Sequence, residues 1–274
     1  MVELKTNGKI TWLDIPEWQR HRGFVHAFST RLGGVSPHPY RGLNLGLKTA
    51  DDMANVRANR SLFMGEFGIS ADEAVSLSFV HSNEVAYIGE EDRGTGFLSV
   101  DSSSAEADGM ITQAERCALF LTFADCPPVL FFDPIHRAIG ACHAGWRGTL
   151  AGIAAKTARA MQLYFESDPA RLEVVIGPCI AQEAFEVSTE VIEEVMTHSG
   201  DWMDLLKQSS NGERALFDIR RALTWQLEAA GVLPTNIGHV DLCTFARQDL
   251  FFSHRRSAGE TGRMGAFIML DSQR

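Results

Sequence analysis

Residues 117–148 read CALFLTFADCPPVLFFDPIHRAIGACHAGWRG. Three apolar runs are set apart by turn-forming residues. Cys117 to Phe123 reads as a buried strand, Val129 to Phe132 as a second after Pro127-Pro128, and Ala138 to His143 as a third. Gly145-Trp146-Arg147-Gly148 then turns the chain into a helix. Leu150, Ile153, Ala154, Thr157, Ala158, Met161 and Phe165 recur there at helical spacing. The runs 117–123 and 138–143 are close in sequence and are expected to share a sheet.

Upstream, the first third is rich in turns, notably Arg31 to Pro37 and Tyr40 to Gly46. A helix is expected over about Asp51 to Phe67, and a strand approaching His81. Downstream, Leu172 to Ile176 reads as a strand closed by Gly177-Pro178. Helices follow near Ser188 to His198 and Leu216 to Ala230, the second capped by Gly231. Ile237 to Leu242 and Met264 to Leu270 read as closing strands. Strands and helices mix without strict alternation, which implies an α+β fold, a mixed β-sheet flanked by helices. Repeats, low-complexity tracts and linkers are absent, so one domain over residues 1–274 is the expectation.

Composition narrows the function classes. The chain has 274 residues, 45% hydrophobic and 22% charged, with a formal net charge of −10. That balance argues against a nucleic-acid partner, which needs a basic footprint. A local arginine pocket for a small anion stays open. The N-terminus lacks the apolar core of a signal peptide, and no run of about 18 apolar residues suggests a membrane span. Five cysteines, an odd number without a CxxC pair, argue against a disulfide framework. A soluble cytoplasmic protein is expected, with a monomer as the simplest oligomeric state.

Three residues stand out for chemistry. His143 ends a strand just before a glycine turn into a helix, where free N–H groups favour anions, and Arg147 adds charge there. Cys126 also ends an apolar strand, stopped by two prolines. By itself it reads as a packing residue. His81, in Phe79-Val80-His81-Ser82, completes a mixed N/S set that suits zinc with an open position for water. The spacings, 45 and 17 residues, match no short metal motif. On spacing alone the triad is one reading among several.

Taken in order, Ala107-Asp108-Gly109-Met110-Ile111-Thr112, Ala124-Asp125-Cys126-Pro127-Pro128-Val129 and His143-Ala144-Gly145-Trp146-Arg147-Gly148 closely resemble the laccase-domain family. Its members were once called multicopper polyphenol oxidases and are now described as purine nucleoside phosphorylases. Phe28-Ser29-Thr30-Arg31, Leu43-Asn44-Leu45-Gly46, Ile176-Gly177-Pro178 and Thr261-Gly262-Arg263-Met264 agree. The resemblance implies His81, Cys126 and His143 as zinc ligands. It also implies phosphorolysis of adenosine, inosine, guanosine and methylthioadenosine, deamination of adenosine, and a single α+β domain. Two departures stand out: Phe79 and Ser82 flank the first histidine, and Ala184-Phe185 stand where a second cysteine and a tyrosine are common.

These implications define the remaining candidates. Deamination needs a proton shuttle besides the zinc-activated water, and Asp125 is one carboxylate candidate. It is equally a strand-end turn residue. Phosphorolysis needs a positive pocket, for which Arg31, Arg147, Arg255 and Arg263 are candidates because guanidinium grips phosphate bidentately. Asn44 is a candidate substrate contact or turn stabiliser. Copper oxidation fits poorly, since nine histidines include no His-x-His pair; copper binding would be adventitious. A further alternative is a cysteine hydrolase that edits peptidoglycan precursors, with Cys126 and His143 as nucleophile and base.

Overall fold

The three opening runs form the strands Ala118–Phe123, Pro128–Asp133 and Ala138–His143 in the computed structural model, which describes residues 2–198, 201–209 and 212–273. Side chains alternate as a strand's pleat requires. Leu119, Leu121 and Phe123 join one core, whereas Ala118 and Phe120 join another.

Two six-stranded sheets result. The first runs Glu3–Thr6, Ile10–Asp14, Phe24–Gly33, Met264–Leu270, Ala118–Phe123, Ala74–Val75. The second runs Ile237–His239, Glu173–Ile176, Pro128–Asp133, Ala138–His143, Gly109–Thr112, Val85–Tyr87. Each contains parallel and antiparallel pairs. The α+β reading therefore holds, but the sheet is divided, and a third, three-stranded sheet is built from Glu186–Val187, Ala215–Phe217 and Leu206–Gln208.

One expectation fails here. Strands 118–123 and 138–143 do not share a sheet. The first is flanked by Met264–Leu270 and Ala74–Val75, while the second pairs with Pro128–Asp133 and Gly109–Thr112. The link through Asp125, Cys126 and Pro127 carries the chain from one sheet to the other. Asp125 takes φ 85° at the crossing.

The inner faces pack together. Phe28, Leu121 and Ile268 from the first sheet share a core with Leu130, Phe132 and Ile139 from the second. The helix Met53–Glu66 covers the outer face of the first sheet through Phe63 and Met64. Helices Ile153–Phe165 and Ile219–Ala229 cover the second through Met161, Leu223 and Leu227. The order is helix, sheet, sheet, helix. Truncating a buried ring in this core, such as Phe28→Ala, is expected to cost about 3–5 kcal/mol.

Local chemistry sets the boundaries. The Asp52 carboxylate accepts from the Ala54 N–H at 2.8 Å and starts the first helix. The expected helix after Gly148 is interrupted: Trp146–Leu150 ends at Gly152, whose φ of 84° starts a second helix, Ile153–Phe165. Leu216 belongs to a strand, and the last long helix begins only after the Asp218 cap. The expected strand before His81 shrinks to Ala74–Val75, leaving 76–81 as loop. Among the described residues, no helix is long and apolar enough to cross a membrane.

Candidate metal centre and substrate cavity

His143 closes its strand pointing to the same side as Ile139 and Ala141, into the space between the sheets, and is buried. Its Nδ1 lies 3.0 Å from the Asp108 Oδ1. The other carboxylate oxygen of Asp108 accepts from the backbone N–H groups of Val80 at 3.1 Å and Ser82 at 2.7 Å, and from the Ser82 hydroxyl at 3.1 Å. One buried carboxylate thus orients one histidine and anchors the loop that presents the other. His81 sits in that loop at φ 61°, a conformation that non-glycine residues hold only when their surroundings enforce it.

Cys126 arrives from the crossing between sheets. Its sulfur and one ring nitrogen from each of His81 and His143 all lie within 4.8 Å of one another. The two imidazoles meet edge to face, with centroids 5.2 Å apart. Burial would push the Cys126 thiol up, but the charges and hydrogen bonds of His143 and His81 bring it down to about 6. Burial would likewise lower His143, yet the thiolate and Asp108 hold it up at about 9. The thiolate, a histidine with a carboxylate behind it and a second histidine fit a zinc-type ion.

Gly145 makes the convergence possible. A Cβ there would lie 2.5 Å from His81 Cδ2 and 3.4 Å from the Cys126 sulfur. Gly145 has φ −63° and ψ 166°, so its backbone does not need glycine; the closeness of His81 and Cys126 does.

The triad opens onto a cavity of about 490 Å³. Phe79, Trp146 and Phe185 give it flat apolar walls, and the Phe79 ring lies 5.5 Å from that of His143. Among the described residues, Lys48, Arg60, Arg147, Arg255 and Arg263 bring five basic side chains to the lining, against a single carboxylate, Asp125.

The remaining expected residues divide. Arg147, Arg255, Arg263 and Asp125 reach the cavity. Arg147 is exposed, rests on Trp146 and pairs with Glu190 at 2.8 Å. Arg255 donates to the Glu186 carbonyl at 2.7 Å. The Arg263 stem passes over Gly46, where a Cβ would lie 2.6 Å from its Cγ. Asp125 accepts from the Thr244 hydroxyl at 2.6 Å, the Ser253 hydroxyl at 2.9 Å and the Arg255 N–H at 2.7 Å. Its carboxylate ties three segments together.

Arg31 and Asn44 are not among the cavity residues. Arg31 lies over the Phe252 ring and donates to the Arg41 carbonyl at 3.1 Å. Asn44 is fully buried. Its amide donates to Thr49 and Asp51 and accepts from the N–H groups of Gly46 and Arg263, so it organises the turn that seats Arg263. The sequence assigns no role to Asp108 or Arg60, and it reads Gly145 only as a turn residue. For Arg60 a signal existed: it falls on the same helical face as Val56, Phe63 and Met64.

A family model, multi-copper polyphenol oxidoreductase laccase, matches residues 25–271. The chain belongs to this family. Among relatives of the laccase family, a purine nucleoside phosphorylase from Bacillus subtilis is 32% identical over 260 residues, 93% of each chain. One from Escherichia coli is 34% identical over 258 residues, 94% of this chain and 98% of that one. Among solved structures, YlmD from Geobacillus stearothermophilus has a TM-score of 0.91 at 31% identity, covering 99% of this chain and all of that one. The Bacillus licheniformis hypothetical protein YfiH scores the same, covering 98% and 99%. This laccase-family chain therefore shares the whole fold of those relatives.

Proposed function

We propose that the protein is a zinc-dependent purine nucleoside phosphorylase that cleaves adenosine, inosine, guanosine and methylthioadenosine and also deaminates adenosine. The observation that carries this reading is the cavity lining: five cations face one carboxylate inside a chain of net charge −10. Such a site favours a small anionic reactant. Its volume, about 490 Å³, falls in the range of small-molecule sites. The phosphorylase names of the relatives point the same way.

His81, Cys126 and His143 would hold the zinc, which when bound supplies Lewis acidity at that end of the cavity. The chain's own groups do the rest. Phe79, Trp146 and Phe185 offer faces for a planar base and exclude water. Arg147, Arg255 and Arg263 supply the positive field that draws in phosphate. Phosphate oxygen then bonds to the sugar's anomeric carbon as the bond to the purine nitrogen breaks, and the purine leaves with the electron pair and takes up a proton.

A second reading has its own observation. Cys126, His143 and Asp108 form a sulfur–imidazole–carboxylate chain, the arrangement of a cysteine hydrolase, and a peptidoglycan precursor would then be the substrate. One experiment separates the two. Metal-quantified protein is incubated with a nucleoside panel with and without phosphate. Free base that appears only with phosphate, and is lost with the metal in Cys126→Ala, supports the phosphorylase. Full zinc and full activity in Cys126→Ala would overturn the metal site, and no turnover of any nucleoside by the wild type would overturn the function.

A further inference from the structure

Arg60 is 2% exposed, and no carboxylate among the described residues lies within ion-pair distance of it. Its partners are neutral. Nε donates to the Leu45 carbonyl at 2.8 Å and Nη1 to the Phe97 carbonyl, while the guanidinium lies over the Phe97 and Phe120 rings. Nη2 has no protein acceptor among the described residues. Burial lowers its pKa to about 9, which leaves it charged at neutral pH. A buried charge without a counter-ion is a costly arrangement. Yet Arg60 borders the cavity, where a ligand can supply the missing charge.

A second group points to the same place. Ser76 is 4% exposed and also lines the cavity. Among the described residues its hydroxyl has no hydrogen-bond partner. Beside it Gly96, at φ 67°, brings its backbone so close that a Cβ would lie 1.7 Å from the Ser76 carbonyl oxygen. By contrast, Arg147, Arg255 and Arg263 already spend donors on Glu190, Glu186 and the 261–262 carbonyls.

We propose that Arg60 and Ser76 form the oxyanion subsite that holds phosphate during phosphorolysis, at the end of the cavity away from the metal ligands. The proposal rests on the phosphorylase reading. Arg60 lies over Phe120, four residues before Ala124 on the way to Cys126, roughly 13 Å at ~3.3 Å per residue. A purine carries its six-position and its glycosidic nitrogen on opposite sides of the ring system. A base directed at His81, Cys126 and His143 therefore turns its anomeric carbon toward Arg60. One pose then serves both activities: the amino-bearing carbon faces the metal ligands while phosphate attacks the sugar from the Arg60 end. The sugar phosphate formed keeps its phosphate on the same two residues.

The test uses the metal-loaded full chain with Arg60→Lys and Ser76→Ala, and inorganic phosphate as the probe. Thermal stabilisation by phosphate without nucleoside should be lost in Arg60→Lys. The apparent KM for phosphate should rise about tenfold, because lysine keeps the charge but loses the planar guanidinium fork and its reach. In Ser76→Ala it should rise about threefold, as for loss of a neutral hydrogen bond. The KM for nucleoside and the metal content should hold. If Arg60→Lys does not fold, Ser76→Ala decides. An unchanged phosphate KM, or nucleoside and phosphate constants rising in parallel, overturns the subsite while leaving the phosphorylase intact. Arg60-dependent phosphate binding without turnover of any nucleoside overturns the phosphorylase while leaving the subsite intact.

Discussion

The Asp108 carboxylate holds the His143 ring by one oxygen and the His81 loop by the other, with the ring nitrogen 3.0 Å away and the Ser82 N–H at 2.7 Å. It fixes which imidazole nitrogen stays free for a ligand. Outer partners of this kind set metal affinity as well as orientation. Asp108→Asn should lower metal affinity about 10–100-fold, in line with such losses elsewhere. Chelator competition measures this; unchanged affinity would remove Asp108 from the metal centre.

Gly145→Ala tests the cradle. Its backbone angles suit alanine, so folding stability should change by less than about 1 kcal/mol. The new methyl, 2.5 Å from His81 Cδ2, should displace that ring. Metal content and activity should fall together while the melting temperature holds. A metal-replete, active variant would mean that the ring can move aside without consequence.

Asp125 acts through its loop. Its carboxylate has three protein donors, and asparagine can keep the positive φ. Asp125→Asn should cost about 1–3 kcal/mol through weakened hydrogen bonds. Residual activity should keep the wild-type pH profile. Loss of one limb of that profile would show instead that Asp125 carries the proton.

The cavity arginines should differ in weight. Arg147 and Glu190 form a pair 57% and 64% exposed, worth about 0–1 kcal/mol. Arg263 is half-buried, and burial pulls its pKa down. Arg263→Ala should raise the phosphate KM about threefold or more, and Arg147→Ala less than that. Steady-state kinetics with nucleoside saturating will rank them, and a reversed order would place the positive field at the rim.

Acid should loosen the hairpin that carries both Cys126 and His143. Asp133 closes its turn, accepting from the Ile135 and His136 N–H groups at 2.8 and 3.1 Å. Burial would raise its pKa, but the neighbouring Ser167 hydroxyl and the hydrogen bonds from the His136 ring and the His136 and Ile135 N–H groups bring the net shift below the ordinary value. A depressed carboxylate stabilises the fold above its unfolded pKa, about 3.9. That contribution is lost as pH falls through the lower folded value. Melting temperatures between about pH 5 and pH 2 should therefore fall less steeply in Asp133→Asn than in the wild type. Parallel curves would refute the assignment.

Much of this was legible locally. Strands 118–123, 138–143 and 264–270 follow from apolar runs and turn residues, and the helix faces from spacing. Sheet membership was not, because strand 118–123 finds its partner in Met264–Leu270, far along the chain. The ligand triad was weak on spacing and gained its force from the motif resemblance. Arg31 and Asn44 were drawn in by the same motifs, although their donors serve other backbone and side-chain groups. Asp108 stood in a quoted motif, yet nothing local to Ala107-Asp108-Gly109 indicates a bond to a histidine 35 residues away.

The crossing at Asp125 and Cys126 has a consequence for assembly. Cys126 stands at the mouth of the hairpin that His143 closes, because Pro128 pairs with His143. Asp108, which holds the His81 loop, leads into Gly109–Thr112, the next strand of the same sheet. All three residues therefore depend on one sheet, and an ion held by them would rivet a loop to that sheet rather than join the two layers. A chain stripped of the ion should loosen first at residues 79–82, with the packing between the sheets intact.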